Sequence, residues 1–176
     1  MNVNCELRSV IGAREIDRKV DLLAKRVNAD YAGRVPLLVC VLKGAFMFCA
    51  DLARRLSVEA EIDFVRIRSY GAGDVSSGRA VLVKDVECGI AGRDVLIVED
   101  IVDTGFSMNF LLDEFAARKP GSLRLAALID KRERRQVEVN VDYPCFTVDQ
   151  GFLVGYGLDY AERYRTSPGI FSLKIG

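Results

Sequence analysis

The sequence contains no histidine, and it also lacks tryptophan. Without histidine, the chain cannot build Ser-His or Cys-His nucleophile pairs or His-ligated metal sites. Any acid–base chemistry must therefore use Asp, Glu, Lys, Tyr or Cys side chains.

The chain also lacks net charge, because its 25 Lys and Arg residues are balanced by 25 Asp and Glu residues. A neutral chain gives no simple electrostatic case for binding nucleic acid or an anionic membrane, although a local basic patch is compatible with this balance. No apolar stretch approaches the ~18 residues of a membrane-spanning helix. The N-terminus shows no basic segment followed by an apolar run, so we expect neither a membrane protein nor a secretory signal.

Paired cysteines are missing as well. The five cysteines are scattered and odd in number, which is typical of reduced thiols in a cytoplasmic protein. The 176 residues, half of them apolar, fit one domain with a packed core. No repeat, low-complexity tract or long linker divides the sequence, so we expect a single domain over residues 1–176.

The apolar patterning predicts an α/β domain. Residues 15–29 carry apolar side chains at helical spacing, while 37–42 and 95–98 are continuous apolar runs typical of strands buried on both faces. The alternation of strands with helices favours a mostly parallel sheet flanked by helices. Further elements are strands at 59–68 (where the alternation slips, as in a β-bulge), 80–86, 123–129, 145–148 and 152–154, and helices at 45–56 and 107–119.

Residues 69–78 contain three glycines and three serines and almost no apolar anchor. This composition predicts an exposed, mobile loop, with residues 74–78 at its tip.

The segment Val95 to Gly105 carries the clearest chemical signal. A buried strand runs into Glu99 and Asp100, and a turn that opens a helix follows. The backbone N–H groups of such a turn can hold a phosphate, and no Walker A loop occurs elsewhere. Two acids at a strand end are, taken alone, more often merely solvated. In this run they are better explained as acceptors for sugar hydroxyls beside a phosphate, the layout of a 5-phosphorylated ribose.

The same run resembles the phosphoribosyl-pyrophosphate (PRPP) motif of type I phosphoribosyltransferases. Four further segments appear in the order and spacing of the hypoxanthine–guanine phosphoribosyltransferases, and the resemblance extends from about residue 15 to 165. It implies the type I fold, with a small hood built from N-terminal residues and about 131–176, and a mobile lid at about 69–80. The four segments are Leu42–Gly44, Ser69–Gly71, Asp130–Arg132 and Phe152–Tyr160.

The resemblance implies transfer of ribose 5-phosphate from PRPP to N9 of hypoxanthine or guanine. Glu99 and Asp100 would hold the ribose hydroxyls, and Asp103 would act as general acid/base beside N7 of the purine, a task that suits a carboxylate. The residues implied for the 5-phosphate are Asp103, Thr104, Gly105, Phe106 and Ser107.

The resemblance also assigns the purine and pyrophosphate contacts. Lys131 would donate to the purine O6, Phe152 would stack on the ring, and the carbonyl of Leu153 would face position 2. Mg²⁺ would be held by Asp159, with Glu99 and Asp100 as further carboxylates. The implied pyrophosphate ligands are Lys43, Gly44 and Arg165, with a Leu42–Lys43 peptide that is often cis in relatives, and Ser69 and Tyr70 begin the lid.

Several alternatives stay open. Phe106 stands where relatives often have a polar residue, and we expect only a modest effect on phosphate affinity. The charged segment 132–141 is interpreted as a solvated excursion or subunit contact. The base could instead be xanthine or adenine, although Lys131 argues against adenine. A PRPP-fold regulator that binds RNA is the rival outside enzymes. Relatives form dimers or tetramers, so we expect a homodimer or homotetramer.

Overall fold

A computed structural model describes residues 5–70, 79–149 and 151–175. The tip predicted for the lid, 74–78, lies outside these residues. The elements are β1 (Cys5–Ile11), α1 (Ala13–Asp30), β2 (Leu37–Leu42), α2 (Phe46–Ala53), β3 (Glu61–Tyr70), β4 (Arg79–Lys84), β5 (Asp94–Val102), α3 (Phe106–Ala116), β6 (Ser122–Asp130), β7 (Tyr143–Thr147), β8 (Leu153–Val154) and β9 (Ile170–Ile175).

Six strands form the main sheet, in the order β4-β3-β2-β5-β6-β7. Every neighbouring pair in it is parallel except β3 and β4, which are antiparallel. The predicted α/β architecture with a mostly parallel sheet is therefore confirmed. The predicted bulge is also present, as a register shift between Arg66 and Ile67.

The helices cover the two faces of this sheet because side chains alternate along each strand. On β2, Leu38 and Cys40 pack into the core that holds α1 and α2. Val39 and Val41 point the other way, into the core under α3. Burial on both faces explains why β2 and β5 read as unbroken apolar runs. The buried face of α1 is the one that its apolar spacing predicted.

A second, antiparallel sheet joins the two ends of the described chain, in the order β1-β9-β8. Neither β1 nor β9 was predicted from the sequence. Their apolar residues form no continuous run, and Leu7 in β1 is exposed, so the pattern that marks a buried strand is absent. These strands exist because the chain ends pair with each other, which is a non-local interaction.

Two helices end earlier than the periodicity predicted. The helix predicted over 45–56 ends at Ala53. The helix predicted over 107–119 ends at Ala116, and the chain turns away at Lys119, which adopts a left-handed conformation with a φ of 56° ahead of Pro120. Among the described residues, no helix has the length and apolar character required to cross a membrane.

Candidate functional site

Strand β5 ends where a tight loop leads into α3. Gly105 caps that helix with a φ of 93°, a left-handed conformation that favours glycine. A Cβ at this position would lie 2.2 Å from the carbonyl oxygen of Val137. The loop borders a cavity of about 250 Å³. The predicted site residues that line it are Gly44, Glu99, Asp100, Asp103, Thr104, Gly105 and Ser107.

Two acidic side chains stand side by side at this edge of the sheet. Glu99 is buried, and its Oε1 accepts from the backbone N–H of Asp100 at 3.1 Å. Asp100 Oδ1 in turn accepts from the N–H of Ile101 at 2.8 Å. Burial raises the pKa of Glu99 well above its usual value, and the neighbouring Asp100 raises it further. A bound cation or sugar hydroxyls would therefore relieve an unfavourable pair of carboxyl groups.

Two loops and the end of β5 come into close contact at glycine residues. A Cβ on Gly44 would lie 1.6 Å from Oδ2 of Asp100, and a Cβ on Gly157 would lie 2.0 Å from the carbonyl oxygen of Gly44. Only glycine allows such close contacts between the loops after β2 and β8 and the end of β5. The Leu42–Lys43 peptide that precedes Gly44 is cis, as the resemblance implied.

A second cavity, of about 450 Å³, opens beside the first. The two cavities share Asp100, Ile101 and Asp103, so the end of β5 and the start of the loop after it form the boundary between them. The other predicted residues that line the second cavity are Lys131, Phe152, Leu153 and Asp159.

The side chains at this second cavity suit a flat, polar ligand. Lys131 is buried, and its Nζ donates to the carbonyl oxygen of Gly151 at 3.1 Å. Phe152 is half exposed, and its ring packs edge-on against Tyr160 with 5.6 Å between centroids. The half-exposed ring of Phe152 is thus accessible to a ligand, while Lys131 offers a fixed ammonium.

The predicted pyrophosphate ligands come together through carboxylates. Arg165 Nη2 lies 2.8 Å from Asp159 Oδ1, and its Nη1 donates to the carbonyl oxygen of Gly157 at 2.8 Å. Lys43 joins these residues by an ion pair with Glu162. Gly44 lines the first cavity, whereas Lys43 and Phe106 are not among its lining residues.

The interpretation of 132–141 as a solvated excursion is wrong at Arg135. This side chain is only 9% exposed and pairs with Asp130. It also donates to the carbonyl oxygens of Val102 at 3.1 Å and Asp103 at 2.9 Å. Backbone N–H groups of residues 136 and 137 bind the carbonyl oxygen of Thr104. The segment therefore supports the loop after β5. The sequence signal that could have predicted this pair is Asp130, an acidic residue at the end of a buried strand, since a buried carboxylate needs a cation.

The two carboxylate oxygens of Asp103 lie in different environments. Oδ2 lies 3.5 Å from Nη1 of Arg134. Oδ1 is buried and, among the described residues, has no hydrogen-bond partner. A buried polar atom without a partner is unusual and marks a candidate ligand contact.

The lid and the metal site are less completely described. The backbones of Ser69 and Tyr70 lie at the end of β3, and residues 71–78 lie outside the described residues. No group of three or more Cys, Asp or Glu side chains in the described ranges is placed to hold a metal ion. Magnesium often uses only one or two carboxylates plus substrate phosphates, and Glu99, Asp100 and Asp159 are compatible with that mode.

The chain is similar to known phosphoribosyltransferases over almost its full length. Residues 11–161 match the phosphoribosyl transferase domain family. The hypoxanthine-guanine phosphoribosyltransferase of Streptococcus thermophilus is 45% identical over 170 residues, covering 96% of this chain and 94% of that protein. The enzyme of the same name from Streptococcus mutans is 46% identical over 160 residues, covering 91% of this chain and 89% of that one.

Solved structures agree with these sequence matches. A hypoxanthine phosphoribosyltransferase from Staphylococcus aureus superimposes with a TM-score of 0.92 at 35% identity, covering 95% of this chain and 91% of that chain. A hypoxanthine-guanine phosphoribosyltransferase from Bacillus anthracis gives 0.89 at 37% identity, covering 97% and 99%. The chain belongs to the phosphoribosyltransferase family, and within it to the hypoxanthine–guanine phosphoribosyltransferases.

Proposed function

We propose that this chain transfers ribose 5-phosphate from PRPP to N9 of hypoxanthine or guanine and releases pyrophosphate. The observation that carries the proposal is the position of Asp103. Its buried, unpartnered Oδ1 lies in the loop that borders both cavities. One cavity suits a ribose 5-phosphate and the other a purine, so an acid/base group belongs between them.

The chemistry requires bond breaking at the ribose C1 and proton removal from the base. The C1–oxygen bond breaks with its electron pair passing to pyrophosphate, and the lone pair of N9 forms the new C1–N9 bond. The proton on N7 then passes to the carboxylate of Asp103. Positive charge develops on the ribose, and we assign the 2- and 3-hydroxyls to the acidic side chains of Glu99 and Asp100.

The 5-phosphate is assigned to the loop that opens α3. Backbone N–H groups at a helix N-terminus favour an anion, and Gly105 lets the backbone approach closely. Thr104 and Ser107 line the same cavity and carry hydroxyl groups. Phe106 offers only its backbone, which supports our expectation of a modest effect on affinity.

Pyrophosphate is assigned to Lys43, Gly44 and Arg165. Arg matches phosphate oxygens well. Mg²⁺, held by Asp159 with Glu99 and Asp100, would neutralise charge on the leaving pyrophosphate. A carboxylate pair in which burial raises the pKa of Glu99 is a reasonable place for a cation.

Selection of a 6-oxo purine is assigned to Lys131. Its ammonium donates to O6, whereas the 6-amino group of adenine would face a donor without an acceptor. Phe152 stacks on the ring, and the carbonyl of Leu153 faces position 2.

Ser69 and Tyr70 begin a lid of about residues 69–80, which would exclude water from the oxocarbenium ion. We also propose that residues 1–176 form a single cytoplasmic domain, whose hood includes about 131–176. The protein would act as a homodimer or homotetramer.

A steady-state assay with PRPP, Mg²⁺ and one of four bases tests this function. Hypoxanthine and guanine are expected to be consumed, with xanthine and adenine as the comparison. Asp103→Asn should lower turnover by roughly 10²–10⁴-fold, the usual contribution of a general acid or base. Asp113→Asn is the matched control, because Asp113 lies on the exposed side of α3 and bonds to Asn109.

The assay separates the rival functions. Consumption of xanthine alone would assign a different base, and no consumption of any base would overturn the proposed reaction. Equal turnover by Asp103→Asn and Asp113→Asn would remove Asp103 from the mechanism. The RNA-binding alternative is not favoured, since the relatives named above are enzymes.

A further inference from the structure

One carboxylate contacts both cations that are assigned to pyrophosphate. Oε2 of Glu162 lies 3.1 Å from Nζ of Lys43 and 3.2 Å from Nη2 of Arg165. The same oxygen therefore holds two positive charges from different loops. No role in the transfer reaction has been assigned to Glu162 above.

The backbone holds Glu162 in this position. Ala161 and Glu162 both adopt left-handed conformations, with φ values of 50° and 63°, which are unfavourable for residues with a Cβ. The N–H of Glu162 donates to Asp159 Oδ2 at 2.8 Å. Two backbone hydrogen bonds between Tyr160 and Arg163 close the turn. The carboxylate is thus presented by a defined turn rather than by a freely rotating chain end.

Charge at this point is balanced within the protein. Lys43 and Arg165 contribute two positive charges, while Asp159 and Glu162 contribute two negative ones. A pyrophosphate that arrives here meets cations that are already neutralised. It must separate Glu162 from both of them before it can use them fully.

We propose that Glu162 is an internal competitor for pyrophosphate, which weakens the hold of Lys43 and Arg165 on this product and on the diphosphate of PRPP. The inference rests on the proposed function, since it needs Lys43 and Arg165 to bind pyrophosphate. A carboxylate and a phosphate oxygen make the same charge-assisted hydrogen bonds to Lys and Arg. The two anions therefore compete for these donors.

The exchange is feasible because the two cations are not held alike. Glu162 is 64% exposed and Lys43 48% exposed, and exposed ion pairs of this kind are weak. Arg165 is more buried, and its contacts with Asp159 and Gly157 do not depend on Glu162. Arg165 stays in place as an anchor, while Lys43 moves between the carboxylate and the incoming anion.

Glu162→Gln tests the proposal, because it removes the charge and keeps the size of the side chain. Binding of pyrophosphate in the presence of Mg²⁺ is measured by titration calorimetry, together with its product-inhibition constant in the forward assay. Loss of an exposed competitor should tighten pyrophosphate binding by about two- to tenfold. The KM for PRPP should fall in the same direction. A residue that only stabilises the turn would not strengthen anion binding when removed.

Two further variants make the result decisive. Glu114→Gln changes the net charge equally from an exposed position on α3 and should leave pyrophosphate binding unchanged. Glu162→Asn makes the same charge change with a residue that tolerates left-handed backbone, so it keeps the test valid if Gln disturbs the turn. If both Glu162 variants bind pyrophosphate no more tightly than the wild-type protein, and the wild-type protein is active, the proposal for Glu162 is overturned and the proposed function is not. A wild-type protein that binds no pyrophosphate would overturn the proposed function as well.

Discussion

The guanidinium of Arg135 lies 2.5 Å from the carboxylate of Asp130, and both side chains are buried. Asp130 ends β6 immediately before Lys131, and Arg135 donates to the carbonyl oxygens of Val102 and Asp103. This ion pair therefore connects the purine side of the site to the loop that carries the proposed acid/base group. Arg135 touches no assigned ligand position and acts as a positioning residue.

Arg135→Met should destabilise the protein by up to about 3–5 kcal/mol, because the buried carboxylate of Asp130 keeps only the exposed Arg132 as its charged partner. The free energy of unfolding in urea measures the loss. Arg132 also bonds to Asp130 but is largely exposed, so Arg132→Gln should cost less than about 1 kcal/mol. Equal losses in the two variants would contradict this distinction.

Arg135→Lys should keep the fold and impair the reaction. Lysine retains the charge beside Asp130, but it cannot reproduce the planar array of donors that reaches two backbone carbonyl oxygens. We expect turnover to fall several-fold while the unfolding free energy stays above that of Arg135→Met. The kcat and KM values are measured with hypoxanthine and PRPP. Turnover equal to wild type would show that the charge alone positions the loop.

Gly105→Ala should weaken binding at the 5-phosphate position. The added Cβ meets the carbonyl oxygen of Val137 at 2.2 Å, and the φ of 93° is strained for alanine. The expected cost is more than about 1 kcal/mol in stability, with weaker binding of ribose 5-phosphate in calorimetry. At Gly89 a Cβ meets nothing within 4 Å, so Gly89→Ala is the control and should change stability by no more than about 0.5 kcal/mol. Similar behaviour of the two alanine variants would argue against close packing at Gly105.

Lys131→Met should reduce discrimination against adenine. Methionine keeps most of the side-chain volume but loses the donor that is assigned to the purine O6. An unpaired polar group costs about 1–3 kcal/mol, so the ratio of kcat/KM for hypoxanthine to that for adenine should fall roughly tenfold or more. Lys25→Met, on the exposed face of α1, changes the charge equally and should leave the ratio unchanged. A Lys131→Met variant that rejects adenine as fully as wild type would remove Lys131 from base selection.

Alkaline pH should destabilise the protein through Tyr143. Its hydroxyl donates to Asp30 Oδ2 at 2.7 Å and is buried, and burial, followed by Asp30, raises the pKa of Tyr143 to about 12. A tyrosine in the unfolded chain ionises near pH ~10. Between about pH 10 and 12 the unfolded state therefore loses a proton that the folded state keeps, and stability falls by up to ~1.4 kcal/mol per pH unit. Tyr143→Phe should flatten this part of the pH profile of the unfolding free energy, and an unchanged slope would exclude Tyr143 as its cause.

The local parts of the site could be predicted from the sequence. Glu99 and Asp100 follow the unbroken apolar run of β5, which is buried on both faces, and Gly105 lies in the turn that leads directly into α3. The positions of these residues depend on neighbours in the sequence. The same holds for the buried face of α1, which follows from helical spacing alone.

The remaining features depend on contacts between distant parts of the chain. Arg135 looked like one charge among several in a polar segment, and only the fold places it against Asp130 and the loop after β5. Strands β1 and β9 pair across almost the full length of the chain, for example Leu7 with Leu173. Glu162 gave no signal at all, since its importance depends on Lys43, 119 residues away.

The glycine contacts described above link the loops at Gly44 and Gly157 to the Asp100 side chain near the end of β5. The backbone of Gly157 rests on that of Gly44, and Gly44 rests on the carboxylate of Asp100. Both contacts are close, so a shift of the loop at Gly157 towards Gly44 would press Gly44 against the Asp100 side chain. If pyrophosphate and ribose bind where proposed, we expect occupancy of one position to affect the geometry of the other through these contacts.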